Sequence, residues 1–240
     1  MLTSSQACAA CPVRQLGVCR LLNVAEITRL KQIALRRQVA AGETIMSEGD
    51  APYYFAIIVS GVVKLIKTLP GGVRQPVGFL FPSDFIGRPL AAASPFSAVA
   101  VTDVELCSYR RSQFENLFQV HPEIEHCLFS HVLNVLDSAR DWMLLLAQKT
   151  AAEKVASLLL LFARRGGQES GRTDLGAAAI QFELPLSRAD IAACLGLRGE
   201  TVSRQIALLK AQGIIRPEGR HKIVVPMLER LRARAEREHL

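Results

Sequence analysis

From Ile124 to Leu146 apolar residues recur every three or four positions, through Ile124, Leu128, Val132, Val135, Ala139, Trp142 and Leu146. A line sustained over about six turns is the pattern of one long helix with an apolar stripe. Beside it runs a second line, Phe129, Leu133, Leu136 and Met143, so this helix carries more apolar surface than a small domain covers. The spacing predicts that the same helix of a second subunit covers the remainder, with the first seven residues as the dimer interface. Burial within its own chain is the alternative. Either way the stripe divides the sequence into two parts of different texture.

Ahead of it, between about residues 42 and 111, short apolar runs alternate and are broken by glycines, as in FAIIVSGVVKLIKT, the turn signal LPGG and RQPVGFLF. This texture predicts a small antiparallel β-roll or sandwich, with Gly49, Gly61, Gly71, Gly72, Gly78 and Gly87 at its turns. Behind the stripe, the polar stretch RRGGQESGRTDLG separates helical material from a compact C-terminal unit. The expected fold class is therefore α+β: an N-terminal antiparallel β-roll, one long helix and a C-terminal winged helix-turn-helix.

The last assignment rests on LSRADIAACLGLRGETVSRQIALLK. Ser187 suits a helix N-cap, and Asp190 three residues on completes a variant capping box. Ala192 is small where two helices cross, and Gly196 follows where a tight turn favours a residue without Cβ. Val202, Ile206 and Leu209 give the second helix a buried stripe, while Glu200, Ser203 and Arg204 share its opposite face. In a major groove an arginine can donate twice to guanine, a glutamate can accept from cytosine, and serine is adaptable. Thr201 and Gln205 flank this face within reach of phosphates. The segment IIRPEGRHKIVV reads as a wing, with Arg220, His221 and Lys222 at its tip to follow the DNA backbone. The plainer reading of Glu200 and Arg204 is an exposed helical ion pair.

Composition agrees with a polyanionic partner. The 240 residues carry 29 Lys and Arg against 22 Asp and Glu, a net charge of +7, and half of them are hydrophobic. No apolar segment behind basic residues marks a secretory leader, and the run SLLLLFA is too short to cross a bilayer. The expected location is the cytoplasm, where thiols stay reduced, so clustered cysteines point to metal or redox chemistry before disulfides.

Three thiols fall within CAACPVRQLGVC, at Cys8, Cys11 and Cys19. A Cys-x-x-Cys followed by a third cysteine can wrap one side of a metal centre, and both zinc and an iron–sulfur cluster accept thiolates. Cys127 and Cys194 read as small buried hydrophobes. His121, His126, His131 and His221 show no ligand spacing, and no cysteine has the neighbouring base or acidic motif of a nucleophilic enzyme. The chain is expected not to be an enzyme.

Taken together, a glycine-punctuated roll, one long helix and a winged helix-turn-helix resemble the CRP/FNR superfamily of bacterial transcription regulators over nearly the whole chain. The motif ETVSR, Glu200 to Arg204, resembles the recognition helix of the FNR branch, and RDWMLLLAQKTAAEKVASLL and SDFIGRP look closest to its FnrL type of alphaproteobacteria. The resemblance implies a roll of the cyclic-nucleotide-binding kind and a division into residues 1–24 (cysteine-rich), 25–120 (roll), 121–148 (dimerisation helix) and 149–240 (DNA-binding domain). It also implies Cys107 as the distant fourth ligand of a 4Fe–4S cluster held with Cys8, Cys11 and Cys19. The implied function is an anaerobic activator or repressor that binds a palindromic TTGAT-type site as a homodimer, until oxygen converts the cluster toward 2Fe–2S. Ala139, between Asp137 and Asp141, takes a central interface position. RNA polymerase is an implied partner, with Leu69 to Arg74 as part of its contact surface. Where relatives hold a cyclic nucleotide's phosphate with an Arg-Ser pair, this chain reads PFSA, with Phe96 for the arginine and Arg88 for an expected glutamate. No cyclic nucleotide is expected to bind. A zinc-stabilised or cofactor-free DNA-binding regulator of the same kind that does not sense oxygen is the alternative.

Overall fold

The computed structural model describes residues 11–15, 17–20, 23–51, 53–88, 92–120, 122–169, 179–219 and 221–236. They form two compact units, residues 1–137 and 138–240, whose border falls within one helix.

The first unit opens with a turn in which the Arg14 amide donates to the Cys11 carbonyl at 3.1 Å, then a single 3₁₀ turn, Gly17–Arg20. Helix α1 (Val24–Ile33) starts at a full capping box. The Glu26 amide donates to Asn23 Oδ1 at 3.0 Å, and the Asn23 amide donates to Glu26 Oε2 at 2.7 Å. Its buried residues are Ile27 and Leu30.

Eight strands follow: β1 (Ala34–Val39), β2 (Thr44–Met46), β3 (Tyr54–Ser60), β4 (Val63–Thr68), β5 (Arg74–Leu80), β6 (Phe85–Ile86), β7 (Ser97–Ala100) and β8 (Val104–Arg110). They make two antiparallel sheets, ordered β1-β8-β3-β6 and β2-β7-β4-β5. Strand alternation sorts the side chains into two cores. Ala56 and Ile58 of β3 pack with Val63, Val104 and Leu106. Phe55, Ile57 and Val59 pack on the other face, with Cys107, Tyr109, Ile27, Leu30 and Phe114, the last from α2 (Arg111–Val120). Because both faces of β3 are covered, its middle reads as a continuous apolar run.

Of the glycines expected at turns, Gly49, Gly61, Gly71, Gly72 and Gly87 have positive φ. Gly61 is the most constrained, since a Cβ there would collide with the Asp103 carbonyl oxygen. Gly78 corrects the expectation. It lies within β5 opposite Leu65, where a register shift makes Val77 the extra residue of a bulge.

Helix α3 (Pro122–Gln148) is one uninterrupted helix of 27 residues, as the stripe predicts. In the second unit come α4 (Ala151–Glu169), β9 (Ile180–Glu183), α5 (Arg188–Leu195), α6 (Gly199–Ala211), β10 (Arg216–Glu218), β11 (Lys222–Val225) and α7 (Leu228–Ala235). The three strands form one antiparallel sheet, β10-β11-β9. Leu158, Leu159, Ile191, Leu195, Val202, Ile215, Val225 and Leu231 are each at most 1% exposed, so this unit has a core of its own. Lys149 closes it, its ammonium donating to the Ala235 carbonyl at 2.7 Å and to Ser157 Oγ at 2.9 Å. Among the described residues no helix is long and apolar enough to cross a membrane.

Candidate functional site

Two sets of predicted residues come together, one in each unit. In the roll, β8 carries Cys107 on the face turned toward the N-terminal segment, and Cys11 and Cys19 pack against that same cluster. Cys11, Cys19, Cys107, Arg36 and Tyr109 line one small cavity of about 30 Å³, together with the apolar Val13, Ile27, Leu30 and Ile57. Cys107 Sγ stands 3.1 Å from the Tyr109 hydroxyl. The β1–β8 register sets Arg36 directly opposite Cys107, and Arg36 Nη1 donates to Glu105 Oε1 at 2.7 Å. Burial alone would lower the pKa of Arg36. A hydrogen bond to Cys11 and the nearby Cys107, Cys11 and Glu105 outweigh it and hold the guanidinium above its ordinary value.

Cys8 lies outside the described residues, as do His121 and the side chain of Cys127. Among the described residues no three His, Cys, Asp or Glu side chains stand close enough together to hold a single metal ion. The donor set still fits a larger soft centre, because three thiols face one apolar cavity beside a fixed cation. At about 30 Å³ the cavity is smaller than a cluster, so what fits here is the kind of donor and not the space. Cys194 is a different kind of thiol: it is buried in the second unit, and desolvation, with Asp190 nearby, pushes its pKa up to about 12.

In the second unit Ser187 caps α5, its Oγ accepting from the Asp190 amide at 3.0 Å, and Asp190 Oδ2 accepts from the Ser187 amide at 3.3 Å. Gly196 ends that helix in the left-handed region, φ 63°, and turns the chain into α6. Val202, Ile206 and Leu209 are buried. Glu200, Ser203 and Arg204 are exposed, with Thr201 and Gln205 half-buried beside them. Behind α6 the β10–β11 hairpin presents exposed His221 and Lys222; Arg220 lies outside the described residues. This is a helix-turn-helix followed by a wing, with a polar, exposed first turn on its second helix.

Comparison with known proteins agrees with both halves. Residues 36–121 match the cyclic nucleotide-binding domain, and residues 153–234 match the Crp-like helix-turn-helix domain. The transcriptional activator protein FnrL of Cereibacter sphaeroides is 42% identical over 224 residues, which are 93% of this chain and 90% of the relative. The chain belongs to the CRP/FNR family. Another CRP/FNR relative, the nitrogen fixation regulation protein FixK of Bradyrhizobium diazoefficiens, is 36% identical over 87% of this chain and 85% of its own. The solved structure of FixK2 from Bradyrhizobium japonicum superposes with a TM-score of 0.75 at 32% identity, covering 85% of this chain and 98% of that one.

As a CRP/FNR roll, this one departs from the nucleotide-binding pattern at PFSA. Phe96 lies beneath the Lys67 ammonium, 5.8 Å from ring centroid to Nζ. Lys67 is itself engaged, in an ion pair with Glu48 and donating to the Pro95 carbonyl at 3.0 Å. The hydroxyl of Ser97 accepts from the Glu48 amide at 3.0 Å, and Arg88 is exposed. On the CRP/FNR helix α3, Val132, Val135, Ala139 and Leu146 are exposed, Leu128 and Trp142 are half-buried, and the side chain of Ile124 lies outside the described residues. Phe129, Leu133, Leu136 and Met143 are exposed too, so most of the described residues of both apolar lines are exposed. Asp137 and Asp141 are exposed beside them. Leu69 to Arg74 form the exposed tip of the β4–β5 hairpin.

Sequence reasoning missed Arg36, Glu105 and Tyr109. Tyr109 was within reach, because a residue two places along a strand from Cys107 shares its face. Arg36 depends on pairing between strands far apart in sequence, which the sequence alone does not give.

Proposed function

We propose that this regulator is a cytoplasmic oxygen sensor that binds a palindromic TTGAT-type site as a homodimer while a 4Fe–4S cluster is bound. Cys8, Cys11, Cys19 and Cys107 hold it. The observation that carries the reading is that thiols of the N-terminal segment and the roll's Cys107 meet at one apolar cavity. Such a cluster supplies a centre that is stable without oxygen and destroyed by it. The chain's own residues do the rest. Cys107 fixes one end of the site to β8, in the buried core, while Cys11 and Cys19 sit on turns with little structure of their own. Filling the site therefore clips the N-terminal segment to the roll, and losing the group releases it.

The apolar surface of α3 supports the dimer, with Leu128, Val132, Val135, Ala139, Trp142 and Leu146 facing their counterparts. Glu200, Ser203 and Arg204 read bases, Thr201, Gln205, Arg220, His221 and Lys222 follow the backbone, and the Leu69 to Arg74 hairpin touches RNA polymerase. Cyclic nucleotides are not effectors, since Phe96 supplies no charge-assisted partner for a phosphate.

The test is anaerobic purification followed by iron, sulfide and zinc analysis, visible absorption, and palindrome binding before and after air. Expected are iron and sulfide in the wild type, their loss in Cys8→Ser, Cys11→Ser, Cys19→Ser and Cys107→Ser, their retention in Cys127→Ser and Cys194→Ser, and specific binding that air abolishes. A zinc-loaded protein that binds its palindrome equally well in air overturns the proposal.

A further inference from the structure

We infer that Arg36, held in place by Glu105, is the counter-charge of the cysteine centre and raises the reduction potential of whatever cluster the cysteines hold. This rests on the cluster reading above. Four thiolates outweigh the positive charge of an iron–sulfur core, so a filled site is an anion beside the buried apolar side chains of Val13, Ile27, Leu30 and Ile57. An anion there needs a fixed positive partner. Three cations line the cavity: Arg14, Lys31 and Arg36. Arg14 sits in the turn after Cys11, outside the sheet, and Lys31 in the last turn of α1.

Arg36 is placed differently. It stands in the middle of β1, paired across to Cys107 by the sheet register, so its backbone is fixed relative to the roll's own thiol. Its guanidinium is oriented from the side by Glu105, two residues from Cys107 on β8, at 2.7 Å. It lines the same cavity as Cys11 and Cys19. One side chain thus shares a cavity with the N-terminal thiols and is anchored to the roll. Arginine suits this role because it keeps its charge when half-buried and offers several donors in a fixed fork. The neighbouring Arg37 supplies an internal control. Strand alternation turns it to the opposite face, where it lines a separate cavity with Ser108 and Tyr54.

A unit charge removed from within several ångströms of a partly screened anion changes its reduction equilibrium on the order of tenfold, about 59 mV for a one-electron couple. The experiment compares wild type, Arg36→Met, Arg36→Gln, Arg36→Lys and Arg37→Met, all reconstituted anaerobically, for iron and sulfide content and for midpoint potential by protein-film voltammetry. Arg36→Met and Arg36→Gln are expected to shift the potential negative by about that amount. Arg36→Lys should stay near wild type, and Arg37→Met should not move. Arg36→Gln keeps a hydrogen-bond donor without the charge, so it separates charge from hydrogen bonding. If both neutral variants fold by circular dichroism but fail to load while Arg36→Lys loads, the charge is needed for assembly and the inference stands. Equal potentials in wild type, Arg36→Gln and Arg37→Met overturn it and leave the cluster reading intact. A wild type without iron and sulfide overturns the cluster reading itself.

Discussion

Replacing Arg204 by alanine separates base reading from folding. The side chain is exposed on α6, on the face away from buried Val202, Ile206 and Leu209. Alanine is the better helix former, and an exposed truncation of this kind changes stability by no more than about 0.5 kcal/mol. The melting temperature should therefore stay put. On DNA the arithmetic differs. A bidentate arginine–guanine contact is worth about 1–3 kcal/mol against the wrong base, or roughly 5- to 150-fold per half-site. A dimer reads two half-sites far enough apart to act independently, so the palindrome loses about twice that free energy. Anisotropy titrations on the TTGAT palindrome, on the same duplex with its G·C pairs exchanged, and on a random duplex measure the difference. Arg204→Ala should bind the first two alike and the random duplex almost as the wild type does. Lys222→Ala, exposed on the wing, should instead weaken all three and lower the salt slope by about 0.9 for each phosphate it no longer neutralises. An equal loss for Arg204→Ala on specific and random duplexes refutes the base-reading role.

In the folded protein freed of any cluster, Cys194, 2% exposed and with its thiol pushed up to about 12, should resist alkylation at pH 8 while Cys11 and Cys19 react; peptide mapping by mass spectrometry checks this. Gly61→Ala combines positive φ with a collision against the Asp103 carbonyl and should cost more than about 3 kcal/mol. Gly196→Ala has positive φ but open space around it and should cost about 1–2 kcal/mol, both read by urea melts. Val132→Glu places a charge on the exposed stripe of α3, where Val132 is 54% exposed, so it should leave the fold intact and shift sedimentation velocity from dimer to monomer.

The elements most legible in the sequence were those whose signal is local. The α3 stripe and the Ser187–Asp190 capping box both depend on residues within a few places of each other, and both stand as read. Helix α1 is as local, with its Asn23–Glu26 box, yet its apolar face is short and it merges into β1 without a break, so it was missed. Gly78 was misplaced for a related reason. A glycine marks a turn or a bulge equally well, and what separates the two is the partner strand.

The site divides along the same line. The exposed first turn of α6 follows from a helical repeat, so Glu200, Ser203 and Arg204 could be placed together from sequence. The meeting of Cys11 and Cys19 with Cys107 could not, since it depends on β8 lying between β1 and β3 and on which face of that strand Cys107 takes. Resemblance to a family supplied what spacing could not. It set Cys107 beside Cys8, Cys11 and Cys19 as expected ligands. It did not carry Arg36 or Glu105, whose roles arise from the register of two strands in this roll. The charge around a centre is therefore the part of its chemistry least readable from a motif. On the proposal above, two chains with the same four cysteines would differ in potential through one residue on a neighbouring strand.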